Sequence, residues 1–205
     1  FVANEQIYDR HVIAANELMS RSISLEYIAK PNSPYKPRLV LNPEKKDFYE
    51  MTIDDFIAEW HNDCDYIVAH TSGSTGTPKE IHLSKRLVRD SALRTIKFFS
   101  LSESSHLHLC LSPDYIAGKM MIVRSLLSGA TLTDELPSNT PLSSFKGGVI
   151  ELLAVVPSQL IDLLDNPKNY EIRNLIIGGS AIPADLRLRV ANSGLNAYET
   201  YGMTE

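Results

Sequence analysis

Between residues 71 and 79 the chain reads Thr71-Ser72-Gly73-Ser74-Thr75-Gly76-Thr77-Pro78-Lys79. Two glycines allow the backbone to bend back and present N–H groups, and let a bulky anion approach closely. The Ser and Thr hydroxyls add short-range donors, and Lys79 adds a compact positive charge. A hydrophobic core has no use for such a loop, whereas a polyphosphate does. The spacing is not that of a Walker loop, G-x-x-x-x-G-K-[ST]. Two residues separate Gly73 from Gly76, Lys79 follows a proline, and Glu80 stands where the Ser or Thr would be. The apolar run Tyr66-Ile67-Val68-Ala69 precedes the loop and the alternating Glu80-Ile81-His82-Leu83 follows it. The loop is therefore expected between two strands, where a Walker loop would join a strand to a helix.

The elements that must position this loop follow a regular alternation. Strands are predicted at 65–69, 106–111, 130–133, 152–156, 174–178 and 196–199, and helices at 84–99, 118–128, 157–165 and 183–193. Ser84 is the expected cap of the first of these helices, and Pro157 and Pro183 stand where helices begin. A short helix is predicted from Thr52 to about Asn62, with Thr52 and Asp55 as a capping box and Phe56 and Trp60 on one face. Residues 1–30 show helical periodicity through Val12, Ile13, Leu18, Met19, Ile23 and Leu25. Residues 31–46 are proline-rich and read as a connector, and 134–148 read as a loop. The alternation implies an α/β fold, a mostly parallel sheet flanked by helices.

Composition narrows the class. With 205 residues the chain holds one domain or one and a half; 43% hydrophobic and 22% charged residues place it among ordinary globular proteins. A net charge of −5 argues against general nucleic-acid binding. No apolar run approaches the roughly 20 residues of a membrane span, and residues 1–10 lack a signal-peptide pattern. Two cysteines, Cys64 and Cys110, make no disulfide framework, so a reducing, cytoplasmic setting is expected.

The loop T-S-G-S-T-G-x-P-K resembles the phosphate loop of the adenylate-forming enzymes: acyl-CoA synthetases, peptide-synthetase adenylation domains and luciferases. Tyr198-Glu199-Thr200-Tyr201-Gly202-Met203-Thr204-Glu205 resembles that family's Y-G-x-T-E signature, in the expected order and at about the expected distance. The resemblance covers roughly residues 65 to 205. It implies that the chain is part of the family's large N-terminal domain. Residues 1–62 are then a helical and connector segment, and 63–205 a truncated AMP-binding α/β subdomain. Both ends look cut, because residue 1 is Phe and Glu205 closes a family motif. The ribose-binding Asp, the hinge and a small C-terminal domain with a catalytic Lys would come later. The expected fragment is thus inactive by itself.

The implied reaction joins a carboxylate to the α-phosphate of ATP, releases pyrophosphate, and passes the acyl group to a thiol, usually coenzyme A. By resemblance, Thr71, Ser72, Gly73, Ser74, Thr75, Gly76 and Lys79 grip the β- and γ-phosphates. Tyr201 lies against adenine, Gly202 lets the chain pass close to the nucleotide, Thr204 contacts the α-phosphate and Glu205 holds Mg²⁺, which favours hard oxygen ligands. Gly178, Gly179 and Ser180 border the adenine and the acyl pocket. The stretch Tyr115-Ile116-Ala117-Gly118-Lys119-Met120-Met121, with Arg124 following, resembles the o-succinylbenzoate–CoA ligases of menaquinone synthesis. Many relatives have a gating His where Tyr115 stands. The implied partner is a small-molecule carboxylate, with Tyr115 flanking its ring and Lys119 pairing with the carboxylate that does not react. The bland alternative for Lys119 is an exposed first-turn residue.

Three further constellations carry weaker signals. Lys85, Arg86 and Arg89 could draw anions toward the loop, or form a solvated helix face. His106, His108 and Cys110 alternate on one strand, a pattern compatible with zinc but short of a fourth ligand. Gly73-Ser74-Thr75-Gly76 lacks the spacing of a nucleophile elbow. Rival functions are a nucleotide hydrolase or kinase using the same loop, another carboxylate-adenylating enzyme, and a nucleotide-binding fragment without turnover.

Overall fold

The computed structural model describes residues 51–70, 80–166 and 170–200. The predicted helix within 1–30, the connector at 31–46, the loop at 71–79 and residues 201–205 lie outside them.

The elements run α1 (Ile53–His61), β1 (Tyr66–His70), β2 (Glu80–Ser84), α2 (Lys85–Phe99), β3 (His106–Leu109), α3 (Ile116–Ser128), β4 (Thr131–Asp134), β5 (Gly148–Ile150), β6 (Leu152–Val155), α4 (Pro157–Asp165), β7 (Tyr170–Ile172), β8 (Leu175–Ile177), α5 (Ala184–Asn192) and β9 (Ala197–Glu199). Each expected strand and helix in the described range is present, with ends shifted by one or two residues. The main sheet is parallel throughout, in the order β4-β3-β6-β8-β9. β1 and β2 pair antiparallel from Tyr66↔Ser84 to His70↔Glu80, so residues 71–79 do connect two strands. The expectations missed β5 and β7, which pair parallel in a small separate sheet. Three residues are too few for periodicity to register, and β5 starts at Gly148, inside what reads as loop.

Side-chain alternation divides the core in two. Leu107, Leu109, Leu152, Ala154 and Ile176 point to one face, where they meet Met120–Val123 of α3, Ala92 of α2 and Phe56 of α1. Leu153, Val155, Leu175 and Ile177 point to the other, against Leu160 and Leu163 of α4 and Leu186 and Val190 of α5. A parallel sheet covered on both faces needs apolar residues at every position, and Leu152–Val155 and Leu175–Ile177 are buried without a break. α3 is covered all round: every residue from Gly118 to Ser125 is buried, including Lys119 and Arg124.

The helix ends show which local expectations hold. Thr52 caps α1: its Oγ1 accepts from Asp55 N–H (3.1 Å) and its own N–H donates to Asp55 Oδ2 (2.9 Å), completing the capping box. Phe56 and Trp60 lie 6.4 Å apart on one face, as their four-residue spacing requires. Ser84 precedes α2, yet its side chain makes no capping bond, correcting that expectation. Ser84 closes the β2 ladder, and the first amide of α2, Lys85 N–H, donates instead to Asp65 O (2.8 Å). Pro157 opens α4 at its first turn. Pro183 sits at the N-cap of α5.

The capping box gives a first prediction. Thr52→Ala should lower stability by about 1 kcal/mol, read as a lower urea midpoint at unchanged m-value.

Candidate functional site at the carboxyl edge of the sheet

In a parallel sheet every strand delivers its next residue to the same edge. From β3 the chain crosses through α3 to β4 on one side. From β6 it proceeds through α4 to β8, and through α5 to β9, on the other. The neighbours β3 and β6 therefore mark the point where the winding reverses, and ligands of open α/β sheets bind in the crevice beyond such a point.

Four segments meet this edge. After β3 comes a tight turn at Ser112–Tyr115. Ser112 Oγ donates to Asp114 Oδ2 (2.9 Å) and accepts from Asp114 N–H (3.1 Å). Gly118 packs on this turn so closely that a Cβ would lie 2.2 Å from Ser112 O. Tyr115, the residue before α3, is exposed at this edge. After β6, buried Gln159 donates to Cys110 O (3.0 Å) and Ser138 O (2.8 Å) and accepts from Val156 N–H (3.1 Å). One side chain thus ties the ends of β3 and β6 to the loop beyond β4.

After β8 come Gly178, Gly179 and Ser180. Gly179 has φ +90°, and a Cβ there would lie 3.0 Å from Val156 Cγ1. A Cβ on Gly178 would lie 2.7 Å from Thr200 Oγ1. Thr200 follows β9 and docks on the end of β8, where its N–H (2.8 Å) and Oγ1 (3.1 Å) both donate to Ile177 O. The paired glycines therefore make room for the segment that carries the second motif. Gly179 and Ser180 are exposed.

The flanks of both motifs reach this edge. His70 N–H, immediately before residue 71, donates to Asp114 O in the turn after β3 (3.3 Å). Thr200, immediately before residue 201, lies at the end of β9. The ends of β3 and β9 are three strand spacings apart, roughly 14 Å. The site residues Thr71, Ser72, Gly73, Ser74, Thr75, Gly76 and Lys79, and Tyr201, Gly202, Thr204 and Glu205, lie outside the described residues.

Lys119 requires a correction. Its ammonium is neither exposed nor open to a ligand. It is fully buried, 3.3 Å from Glu59 Oε2, 2.7 Å from Met51 Sδ and 4.4 Å from the centre of the Phe56 ring. Burial pulls its pKa below the usual lysine range, and the Glu59 carboxylate opposes that shift. Either expectation, a substrate-pairing or an exposed first-turn lysine, needs solvent access, and every residue from Gly118 to Ser125 is buried. Lys85 is also engaged: Nζ donates to Asn62 O and Asn62 Oδ1, both at 2.8 Å, at the C-terminus of α1, where a cation is favoured. Among the described residues Arg86 makes a long exposed pair with Asp90 (3.9 Å).

His106 and His108 do share a strand face, but their common partner is a hydroxyl. His106 Nε2 and His108 Nδ1 each lie 2.8 Å from Thr133 Oγ1, under the Phe145 ring. Cys110 directs its thiol to Ala154 O (3.5 Å), and burial pushes its pKa up to about 12. Among the described residues no group of three or more His, Cys, Asp or Glu is placed to hold a metal. Glu135, at the end of β4, accepts from Leu142 N–H and from Ser144 N–H (3.0 Å), and its Oε1 faces His108 Nε2 at 3.7 Å. Burial pushes the Glu135 pKa up, but the donors from Ser144 and Leu142 outweigh it and hold it low. Glu59, Asp114, Glu135 and Gln159 escaped the sequence reading, because single polar residues carry no motif; their roles arise from bonds that reach across as many as 63 positions of chain.

Comparison with known proteins places these features in context. A family model described as AMP-binding enzyme matches residues 7–205. The 2-succinylbenzoate–CoA ligase of Lactococcus lactis is 26% identical over 141 residues, covering 68% of this chain and 31% of that protein. The chain thus spans about a third of the length of the curated ligases it matches. A solved acyl-CoA synthetase (AMP-forming)/AMP-acid ligase II-like protein from Dyadobacter fermentans superposes with TM-score 0.64 at 32% identity, covering 73% of this chain and 44% of the other. The o-succinylbenzoate coenzyme A synthetase of Bacillus subtilis, solved with ATP and magnesium, has the same fold: TM-score 0.56, 23% identity, 67% and 30% coverage.

Two predictions follow from this geometry. Gly178→Ala should push Thr200 off the end of β8 and cost about 1–3 kcal/mol, measured by denaturant unfolding. The second concerns His108, whose pKa burial lowers from its ordinary 6.5, against the opposing pull of Glu135 and Asp134 and with added repulsion from His106. The unfolded chain takes up that proton first, so stability is full above pH 6.5 and falls as pH drops below it. His108→Gln should flatten the stability profile between about pH 7.5 and 5. Parallel profiles for the two proteins would contradict it.

Proposed function

This chain belongs to the AMP-binding enzyme family, and from that premise we propose that it is the nucleotide-binding part of an ATP-dependent acid–CoA ligase acting on o-succinylbenzoate. The observation that carries this reading is the arrival of residue 70 and residue 200 at one edge of one sheet, with the glycine turn after β8 between them. On this proposal the hydroxyl-rich loop and Thr204-Glu205 would face a single nucleotide from opposite sides.

The proposed chemistry has two balanced steps. An oxygen of the substrate carboxylate attacks the α-phosphorus of ATP; the new P–O bond forms as the bond to pyrophosphate breaks. The thiolate of coenzyme A then attacks the acyl carbonyl carbon, and AMP leaves with the electron pair. Charge builds on phosphate oxygens in the first step, so preorganised donors there lower its barrier. Thr71, Ser72, Gly73, Ser74, Thr75, Gly76 and Lys79 would supply donors to the β- and γ-phosphates. Thr204 would meet the α-phosphate and Tyr201 the adenine, with Gly202 keeping the chain close. Mg²⁺, held by Glu205, would neutralise phosphate charge. The described residues fit such a ligand. Gly178 and Gly179 add no side chain of their own at the end of β8, which lets Thr200 and Val156 pack there, and Thr200 leads into the second motif already anchored.

Tyr115, exposed at the same edge, is the proposed flank of the substrate ring. Lys119 is not part of the acid site, because Glu59 neutralises it inside the core. The domain division at residue 62 and a cytoplasmic location belong to the same proposal. Among the described residues no helix is long and apolar enough to cross a membrane.

The test is pyrophosphate–ATP exchange by the full-length protein across a panel of acids: o-succinylbenzoate, benzoate, a medium-chain fatty acid and an amino acid. Exchange is expected with o-succinylbenzoate alone. Exchange with another acid would replace the substrate within the same reaction class, and ATP hydrolysis with no acid requirement would overturn the ligase reading.

A further inference from the structure

We propose that Glu59 and Asp114 are positioning residues for the nucleotide loop: together they grip the free edge of β1 and aim the chain as it enters residue 71. The inference rests on the proposed role of that loop.

β1 pairs only with β2 among the described residues, as a two-stranded ribbon. Such a ribbon is marginal alone and takes its direction from what it packs against. In an antiparallel pair, alternate amides point away from the partner. On β1 two of these, two residues apart, find acidic residues. Val68 N–H donates to Glu59 Oε1 (2.5 Å) and His70 N–H donates to the Asp114 carbonyl (3.3 Å).

Neither acceptor is loose. Glu59 is buried on α1, and its second oxygen meets Lys119 on α3. Asp114 sits in the turn between β3 and α3; Oδ1 accepts from Met51 N–H (3.2 Å) and Oδ2 from Ser112. Both grips therefore lead back to α3 and the turn after β3, the same edge that carries the rest of the site. An apolar pair would fill the Glu59–Lys119 volume with less desolvation cost. Only an acceptor aimed along the strand edge gives the Val68 amide a partner, and a carboxylate there needs a buried cation beside it. Lys119 thus acts through Glu59.

Two double variants of the full-length protein separate orientation from charge. E59Q/K119M removes both charges and keeps an acceptor for Val68; E59L/K119M removes the acceptor at the same charge balance. E59L/K119M is expected to raise KM for ATP about tenfold over E59Q/K119M in pyrophosphate exchange, with KM for the acid unchanged. Calorimetric titration with Mg-ATP should show the same shift in Kd. D114A keeps the carbonyl that accepts from His70 but removes the side chain that fixes its turn through Met51 N–H and Ser112; it should move KM for ATP in the same direction and keeps the test open if E59L/K119M does not fold. Equal ATP constants in the two double variants and in D114A, with only the active fraction reduced, would show a merely structural role and overturn the proposal. If the unsubstituted protein binds Mg-ATP but exchanges pyrophosphate with no acid, the ligase reading fails, and the binding constants still decide the inference.

Discussion

A sheet buried on both faces has one place where its backbone can meet a ligand: the end at which its strands stop. Here helices α1 to α3 cover one face and α4 and α5 the other, so both faces of the sheet are closed to an incoming ligand. All five strands run parallel, so all five stop on the same side. Turns from distant parts of the sequence are then collected along one line. The turn after β3, the Gln159 bridge, the glycine pair and Thr200 are neighbours for this reason and no other. Without the hydrophobic packing that keeps the strands parallel, none of these segments would have a relation to the rest.

The second constraint is electrostatic. α3 carries two cations, Lys119 and Arg124, into a region with no water to solvate them. An ammonium in such surroundings must be neutralised or lose its proton. Glu59 meets Lys119 and simultaneously accepts from the β1 backbone, so one carboxylate joins three elements. Truncating one member of such a buried pair typically costs about 3–5 kcal/mol, since the other is left without compensation. The pair therefore couples the placement of β1 to that of α3, and a disturbance at either is felt at the carboxyl edge.

Beyond β4 the same economy appears in a different form. Leu142 is held at φ +63°, an unusual conformation for a residue with a Cβ, while its side chain is fully buried. Glu135 makes this possible by accepting both the Leu142 and the Ser144 amides. The loop is thereby drawn over the His106–Thr133–His108 group and meets Gln159 through Ser138. The edge of the sheet is tied by hydrogen bonds at its loops as well as at its strands, which suits a site that must hold a charged substrate in one pose.

Periodicity alone determined the element order, the parallel α/β class and the position of the 71–79 loop between β1 and β2, because strand and helix repeats are local properties of the chain. The Thr52–Asp55 cap was equally legible, being an interaction over three residues. Two motifs of fixed spacing gave the family, since their residue types are chosen for a ligand and not for packing. What tertiary structure decided was every feature set by a distant partner. Lys119 looked like a partner for the substrate carboxylate or an exposed first-turn residue until α1 was laid across it, and Ser84 looked like a cap although its side chain makes no capping bond in the fold. Cys110 and the two histidines looked like a partial ligand set until Thr133 met both rings and the Cys110 thiol turned to the Ala154 carbonyl. Burial and long-range hydrogen bonds depend on which elements meet, and a linear pattern holds no record of that.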